Sequence, residues 1–159
     1  MTMRKRLYVL RHGNAQAFGY AKDELRELTE LGVAEVKTAA KQFKSRSETL
    51  GAVFVSPFVR AQQTAKIFLA ELDTSVVVET CPLITPEANK IEVATWLEKQ
   101  PYESVLLVTH QPFAHHFVDY LAQDPLPLSF AMTTASIAAI EGEFFAGACC
   151  QLRWHASPT

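Results

Sequence analysis

Leu7-Tyr8-Val9-Leu10-Arg11-His12-Gly13-Asn14 decides the fold: an apolar run with little alternation ends abruptly in a cation, an imidazole and a glycine. Such a run reads as a strand buried on both faces, as in parallel sheets covered by helices. The pattern recurs. Ala52-Val53-Phe54-Val55 runs into Ser56-Pro57-Phe58-Val59-Arg60, and Val105-Leu106-Leu107-Val108-Thr109 runs into His110. Buried strands are therefore predicted at Arg6–Leu10, Ala52–Val55, Ser75–Val78 and Ser104–Thr109. Three of them deliver two arginines and two histidines at their C-terminal ends. In an open parallel sheet those ends share one edge, where ligands bind.

Between the strands the apolar spacing turns helical. Thr29 is the expected N-cap of a helix with Val33, Val36, Ala40 and Phe43 on one face. Ser56 as N-cap and Pro57 at the first helical position open a second helix, with Ala61, Thr64, Ala65, Phe68 and Leu72 inward. Asn89 caps a third through Ile91, Ala94 and Leu97, and Gln111-Pro112 opens a fourth with Phe113, Phe117 and Leu121 buried. The alternation predicts one α/β domain over residues 1–159, with three layers, α/β/α, around a mostly parallel central sheet. Ser136–Glu141 and Ala148–Trp154 are expected to close the sheet, one of them antiparallel at an edge. Ala15–Leu28 and the proline-bearing Asp124–Ala135 fit neither pattern and are expected to flank the site, since long irregular segments in compact domains are often functional.

Bulk properties narrow the function. The chain has 159 residues, is 48% hydrophobic and has a mean hydropathy of +0.04, an ordinary globular composition. A net charge of −2 gives no general attraction for nucleic acid or an anionic membrane, and no apolar run approaches a membrane span. Cys81, Cys149 and Cys150 lack zinc-like spacing and read as small hydrophobes in a reducing compartment. The basic start, Met1 to Arg6, is followed by too few apolar residues for a signal peptide, so a cytoplasmic location is expected.

Two guanidinium forks and two imidazoles at one sheet edge suit a phosphoryl group. The planar guanidinium makes bidentate, charge-assisted hydrogen bonds to phosphate oxygens, a role for Arg11 and Arg60. The helix carrying Arg60 and the helix after His110 add free N–H groups and a positive dipole end. Imidazole attacks phosphorus only when neutral, with one nitrogen's lone pair free. Neighbouring arginines disfavour protonation of His12, and a backbone carbonyl near Gly13 is expected to hold its other ring nitrogen as a donor. Beside a bound dianion, His110 is expected to be a cation that stabilises an equatorial oxygen. A metal reading would use His12, His110, His115 and His116. However, His115 and His116 adjoin on a helix and point apart, and no His-Glu-x-x-His accompanies them. No metal or other cofactor is expected. Arg-His-Gly alone is a weak signal, and Arg60 alone reads as a solvated helix residue; the coincidence of three junctions points to a site.

Taken together, these residues resemble the histidine phosphatase (phosphoglycerate-mutase-like) superfamily. In that family Arg-His-Gly after the first strand supplies a nucleophilic histidine. A second arginine lies in Ser-Pro-x-x-Arg-Ala-x-Gln-Thr, and a second histidine ends a later strand. Here the middle motif reads Ser56-Pro57-Phe58-Val59-Arg60-Ala61-Gln62-Gln63-Thr64, and the later strand ends Val108-Thr109-His110. The short length, Arg26-Glu27-Leu28-Thr29 and Phe130-Ala131-Met132-Thr133-Thr134-Ala135-Ser136 are most similar to bacterial phosphohistidine phosphatases of the SixA type. The resemblance implies His12 as nucleophile with Arg11, Arg60 and His110 around the phosphoryl group. It adds Arg26 as a third phosphate ligand, against the alternative of a solvated charge beside Glu24 and Glu27. Gly13 and Asn14 become substrate-binding neighbours, although an aspartate often stands at the position of Asn14. The implied partner is a phosphorylated histidine on a phosphotransfer-type protein of a signalling relay.

Many superfamily members carry a glutamate after the third strand as acid for an alkoxide leaving group. Here that region reads Pro82-Leu83-Ile84-Thr85-Pro86-Glu87, similar to the Leu-Thr-Pro of the SixA branch. An alkoxide needs a proton because its conjugate acid is extremely weak, whereas a phosphoramidate's imidazole leaves readily. The expected activity is hydrolysis of phosphohistidine through a phosphohistidine enzyme intermediate. Alternatives are a small-molecule phosphomonoesterase using Glu87 as acid, and a non-catalytic phosphate- or phosphoprotein-binding module.

Overall fold

The computed structural model describes residues 4–19 and 21–159; Met1 to Met3 of the basic start, and Tyr20, lie outside the described residues. The chain runs β1 (Lys5–Arg11), α1 (Glu30–Lys44), β2 (Ala52–Val55), α2 (Val59–Leu72), β3 (Val77–Thr80), α3 (Lys90–Glu98), β4 (Ser104–Thr109), α4 (Phe113–Leu121), β5 (Ile137–Gly142) and β6 (Cys150–Ala156). One six-stranded sheet has the order β3-β2-β4-β1-β5-β6. The first four of these strands pair in parallel; β5 runs antiparallel to β1, and β6 antiparallel to β5.

Alternation along β1 sorts the core into two halves. Tyr8 and Leu10 pack with Val36, Ala40 and Phe43 of α1 and Ala61, Ala65 and Phe68 of α2. Leu7 and Val9 pack with Val93 and Leu97 of α3 and Phe113, Phe117 and Leu121 of α4. Helices therefore cover both faces, and the inner strands have no solvated side, which explains their lack of polar residues. At about 25 cal/mol per Å² of buried apolar surface, these two layers supply the main favourable free energy of folding.

Neighbouring strands β1 and β4 send their chains in opposite directions at their C-terminal ends. The chain after β1 reaches α1 on one face, and the chain after β4 enters α4 on the other. Such a divergence opens a crevice. Register aligns Arg11 with Thr109, and Val55 with Val108, so His12, Ser56 and His110 all emerge at that crevice.

Several local expectations are corrected. β3 lies two residues later than predicted and is exposed throughout, because it forms an edge of the sheet with β2 as its neighbour. Ser56 does not cap α2. That helix starts at Val59 after an extended Phe58, because the Ser56 hydroxyl is drawn to His110 instead. In α3, Ile91 points outward and Val93 takes its inward place. Thr29 and Asn89 do cap their helices, accepting from Gly32 N–H and from Ile91 and Glu92 N–H respectively.

The start of α1 is pressed against the strand-exit loop. A Cβ on Gly32 would lie 2.0 Å from the Asn14 carbonyl oxygen, and one on Gly13 would lie 2.7 Å from the Gly32 carbonyl oxygen. Glycine is required at both positions by backbone approach. Gly32→Ala should lower the unfolding free energy by about 1–3 kcal/mol or more through overpacking. An unconstrained helical glycine would instead gain about 1 kcal/mol from the same change. Denaturant unfolding reads the sign directly.

Candidate active site

His12 leaves β1 with its ring almost wholly buried, at 7% exposure. Its Nδ1 lies 2.7 Å from the carbonyl oxygen of Gly13, so Nδ1 carries the proton and donates it there. Nε2 then holds the free lone pair, 3.2 Å from Arg60 Nε, which donates to it. The expected carbonyl near Gly13 is thus Gly13's own. The Gly13 N–H donates to Thr64 Oγ1 at 3.1 Å, so this amide is engaged with α2.

The guanidinium groups surround that imidazole. Arg60 is 3% exposed and donates from Nη1 to the Asp23 carbonyl at 2.6 Å and from Nη2 to Asp23 Oδ2 at 3.4 Å. Arg11 donates from Nη1 to the Met132 carbonyl at 3.0 Å, while its Nε is buried without a protein partner. Arg26 is buried, so it is not the solvated charge of the alternative reading. It donates from Nε and Nη2 to Asp23 Oδ1 at 3.0 and 2.8 Å and from Nη1 to the Gln16 carbonyl, with Phe18 lying over its plane at 4.1 Å.

His110 lies across from His12, with ring centroids 5.1 Å apart. Its Nε2 is 2.7 Å from Ser56 Oγ, and that oxygen already accepts the Phe58 N–H at 3.3 Å. Nδ1 of the same ring is buried without a partner. Arg11 Nε and His110 Nδ1 are thus both buried polar atoms without a protein partner. A buried polar atom left unpaired costs on the order of 1–3 kcal/mol.

Arg11, His12, Asn14, Arg26, Arg60 and Thr134, among others, line an open cavity of about 490 Å³; His110, buried beside His12, is not among its lining residues. Both irregular stretches reach it. The first closes on itself through an Ala15–Leu28 bridge and contains a short 3₁₀ turn, Asp23–Leu25. The second contributes Thr134, and its Ala135, at φ 57°, turns its N–H onto the His12 carbonyl at 2.9 Å. Asn14 lines the cavity while its side-chain oxygen accepts from Thr29 Oγ1 at 2.7 Å. Glu87 is exposed at the rim. His115, His116 and His155 sit apart, the first and last against Phe130. Among the described residues, no group of three or more His, Cys, Asp or Glu side chains could hold a metal ion.

Two acids escape a reading from sequence. Asp23 bridges Arg26 and Arg60, and its spacing three residues before Arg26 on a short turn is the signal that could have found it. Glu35 accepts the Asn14 N–H at 2.8 Å and the Thr134 hydroxyl at 2.9 Å, joining both irregular segments to α1. Its signal is a carboxylate within the inward stripe beside Val36.

Burial and crowding set the protonation states. Burial, and then the charges of Arg60, Arg11 and Arg26, lower His12 to about 4 against a partial rise from its bond to Gly13. Burial, His12 and the arginines lower His110 to about 2, so the free protein holds a neutral His110. For Asp23 burial pushes upward, but the hydrogen bond from Arg26 and the charges of Arg60 and Arg26 win, and its carboxyl stays below the usual range.

Residues 7–82 match the family model for the histidine phosphatase superfamily (branch 1). The chain is 32% identical to phosphohistidine phosphatase SixA of Escherichia coli K12, over 84% of this chain and 83% of that protein. It is 30% identical to the SixA homolog of Haemophilus influenzae, over 80% and 84%. Among solved structures, the protein histidine phosphatase SixA complexed with tungstate superimposes with a TM-score of 0.82 at 28% identity, covering 96% of this chain and 97% of that one.

Unfolded histidine takes up a proton near 6.5, whereas folded His12 and His110 resist it down to about 4 and about 2. As pH falls from 6.5 to 4 the unfolded state binds protons that the native state refuses, so stability should fall over that window and be unaffected by these groups above it. Unfolding curves at pH 7, 6 and 5, with imidazole NMR titration assigning the two rings, check this.

Proposed function

The chain belongs to the histidine phosphatase superfamily, and from that membership and the geometry above we infer that it is a phosphohistidine phosphatase, acting as one domain of residues 1–159. One observation carries the chemistry. His12 is neutral, locked by its Nδ1–H to Gly13, with Nε2 unprotonated in a cavity lined by Arg11, Arg26 and Arg60.

The incoming phosphoryl group takes Arg60 Nε off Nε2 and onto an equatorial oxygen. His12 Nε2 then attacks phosphorus in line, and the P–N bond to the partner's ring breaks. Its electron pair returns to that ring, which leaves as neutral imidazole when its other nitrogen already carries a proton. No strong acid is needed at the leaving atom. Water next attacks the phosphorylated His12, the electron pair returns to Nε2, and the water's protons go to phosphate and solvent. Gly13 holds the Nδ1 proton throughout. Arg11 Nε, unpartnered in the free protein, supplies a donor that tightens as charge spreads over the equatorial oxygens, and His110 stands beside His12 to add its own. Asn14 lies at the cavity wall near the substrate, and Gly13 holds the turn that aims His12.

The substrate is a phosphorylated histidine displayed on a phosphotransfer-type protein of a signalling relay. The open cavity mouth supports a protein surface as substrate, and the tetrahedral tungstate dianion in the SixA structure supports phosphate as product. The free thiols Cys81, Cys149 and Cys150 fit a reducing compartment, and the cytoplasm is the location proposed. Among the described residues no helix is long and apolar enough to cross a membrane. Glu87 at the rim favours a second reading, a phosphomonoesterase in which that carboxyl protonates an alkoxide.

His12→Ala should abolish turnover and the trapping of labelled phosphate on the enzyme. Arg60→Ala should cost about 3–4 kcal/mol of transition-state stabilisation, typical for one preorganised donor. A rate comparison between a phosphohistidine-bearing phosphotransfer domain and a panel of alkyl phosphates separates the readings. A strong preference for the former, undiminished by Glu87→Gln, supports P–N hydrolysis. Equal rates that collapse with Glu87→Gln support the esterase.

A further inference from the structure

The carboxylate of Asp23 is placed where an anion is needed and is none of the groups that attack phosphorus or stabilise it. Oδ1 receives two hydrogen bonds from Arg26, at 3.0 and 2.8 Å, and Oδ2 one from Arg60 at 3.4 Å. It lines the same cavity as His12. We propose that Asp23 is an internal surrogate for phosphate: its side chain occupies the Arg26–Arg60 pair in the resting enzyme, must be displaced by the phosphoryl group, and so weakens product binding and speeds phosphate release. The idea rests on the phosphatase reading and adds a determinant of product affinity to it.

Three features support displacement over a permanent structural bridge. First, the two guanidinium groups are almost wholly buried, whereas the Asp23 side chain is 37% exposed, so the carboxylate approaches from the solvent side and can leave that way. Second, both arginines keep anchors that do not depend on it. Arg60 Nη1 is held by the Asp23 backbone carbonyl, while Arg26 Nη1 is held by the Gln16 carbonyl and its plane is covered by Phe18. A departing carboxylate therefore leaves the forks in position. Third, the charges favour exchange. Arg26 and Arg60 repel each other, and one carboxylate offsets that repulsion less than a phosphate dianion with four oxygens does.

Thermodynamically, ligand binding that must first break the Asp23 contacts is weakened by their free energy, and the retained carboxylate repels the dianion besides. These contacts are charge-assisted hydrogen bonds, stronger than neutral ones. Removing the carboxylate should therefore tighten inorganic phosphate about tenfold or more, at 1.4 kcal/mol per tenfold. Weak product binding suits a phosphatase because a trapped phosphate blocks the next turnover.

The test is titration of wild-type enzyme, Asp23→Asn and Asp23→Ala with inorganic phosphate by calorimetry, paired with KM and kcat on a phosphohistidine-bearing phosphotransfer domain. Asn preserves shape and the backbone carbonyl; Ala serves if Asn disturbs folding. The expected result is a phosphate Kd lowered about tenfold or more in both variants, a lower KM, stronger product inhibition and a kcat that does not rise. Asp23→Glu, which restores the charge, should return phosphate affinity toward wild type. Unchanged or weaker phosphate binding in the neutral variants overturns displacement and makes Asp23 a structural strut. Phosphate binding is read without turnover, so a failed phosphohistidine assay with tightened phosphate counts against the proposed substrate and leaves the surrogate standing.

Discussion

Three guanidinium groups and two imidazoles are held largely out of water at one edge of the sheet, and the repulsion among them governs everything built around it. Burying like charges is costly unless anions, carbonyls or lost protons offset the cost. All three offsets are present. Met132, Asp23 and Gln16 present carbonyl oxygens to Arg11, Arg60 and Arg26; Asp23 and Glu35 bring negative charge; His12 and His110 give up their protons. The last response makes the site reactive, because a neutral imidazole is a nucleophile and an imidazolium is not.

The scaffold turns that crowding into a fixed geometry. Glu35 joins the Asn14 amide to the Thr134 hydroxyl, Thr64 takes the Gly13 amide, and Ala135 bonds the His12 carbonyl. The loop after β1 is therefore held from α1, α2 and the segment before β5 at once. Paired glycines, Gly13 and Gly32, let that loop lie directly on the helix. The cavity beyond this shell is open. A substrate displayed on a protein surface meets little obstruction there.

A pair of opposed pressures follows from the same charges. The arginines must attract a dianion strongly in the transition state, yet the enzyme must release phosphate. Side chains that bond only developing charge serve the first demand. A carboxylate already seated between two of the forks serves the second, and the two functions sit on neighbouring atoms of one cavity.

Much of this was legible along the chain. Apolar runs without alternation announced strands buried on both faces, cap residues Thr29 and Asn89 marked two helices, and three strand ends ending in Arg-His, Ser-Pro-x-x-Arg and Thr-His located the site. These are local signals, set by spacing and by the chemistry of single side chains. What the sequence could not settle were pairings between residues far apart. The exposure of β3 depends on which strand ends the sheet, and the neighbour of the Ser56 hydroxyl depends on β4 lying beside β2. Likewise the grip of Asp23 on Arg60, and the neutrality of His110, exist only once folding removes water and brings charges together. Periodicity determined the layers and chemistry named the reacting groups; long-range packing decided which group faces which, because hydrogen bonds and desolvation act through space and leave no mark on the order of residues.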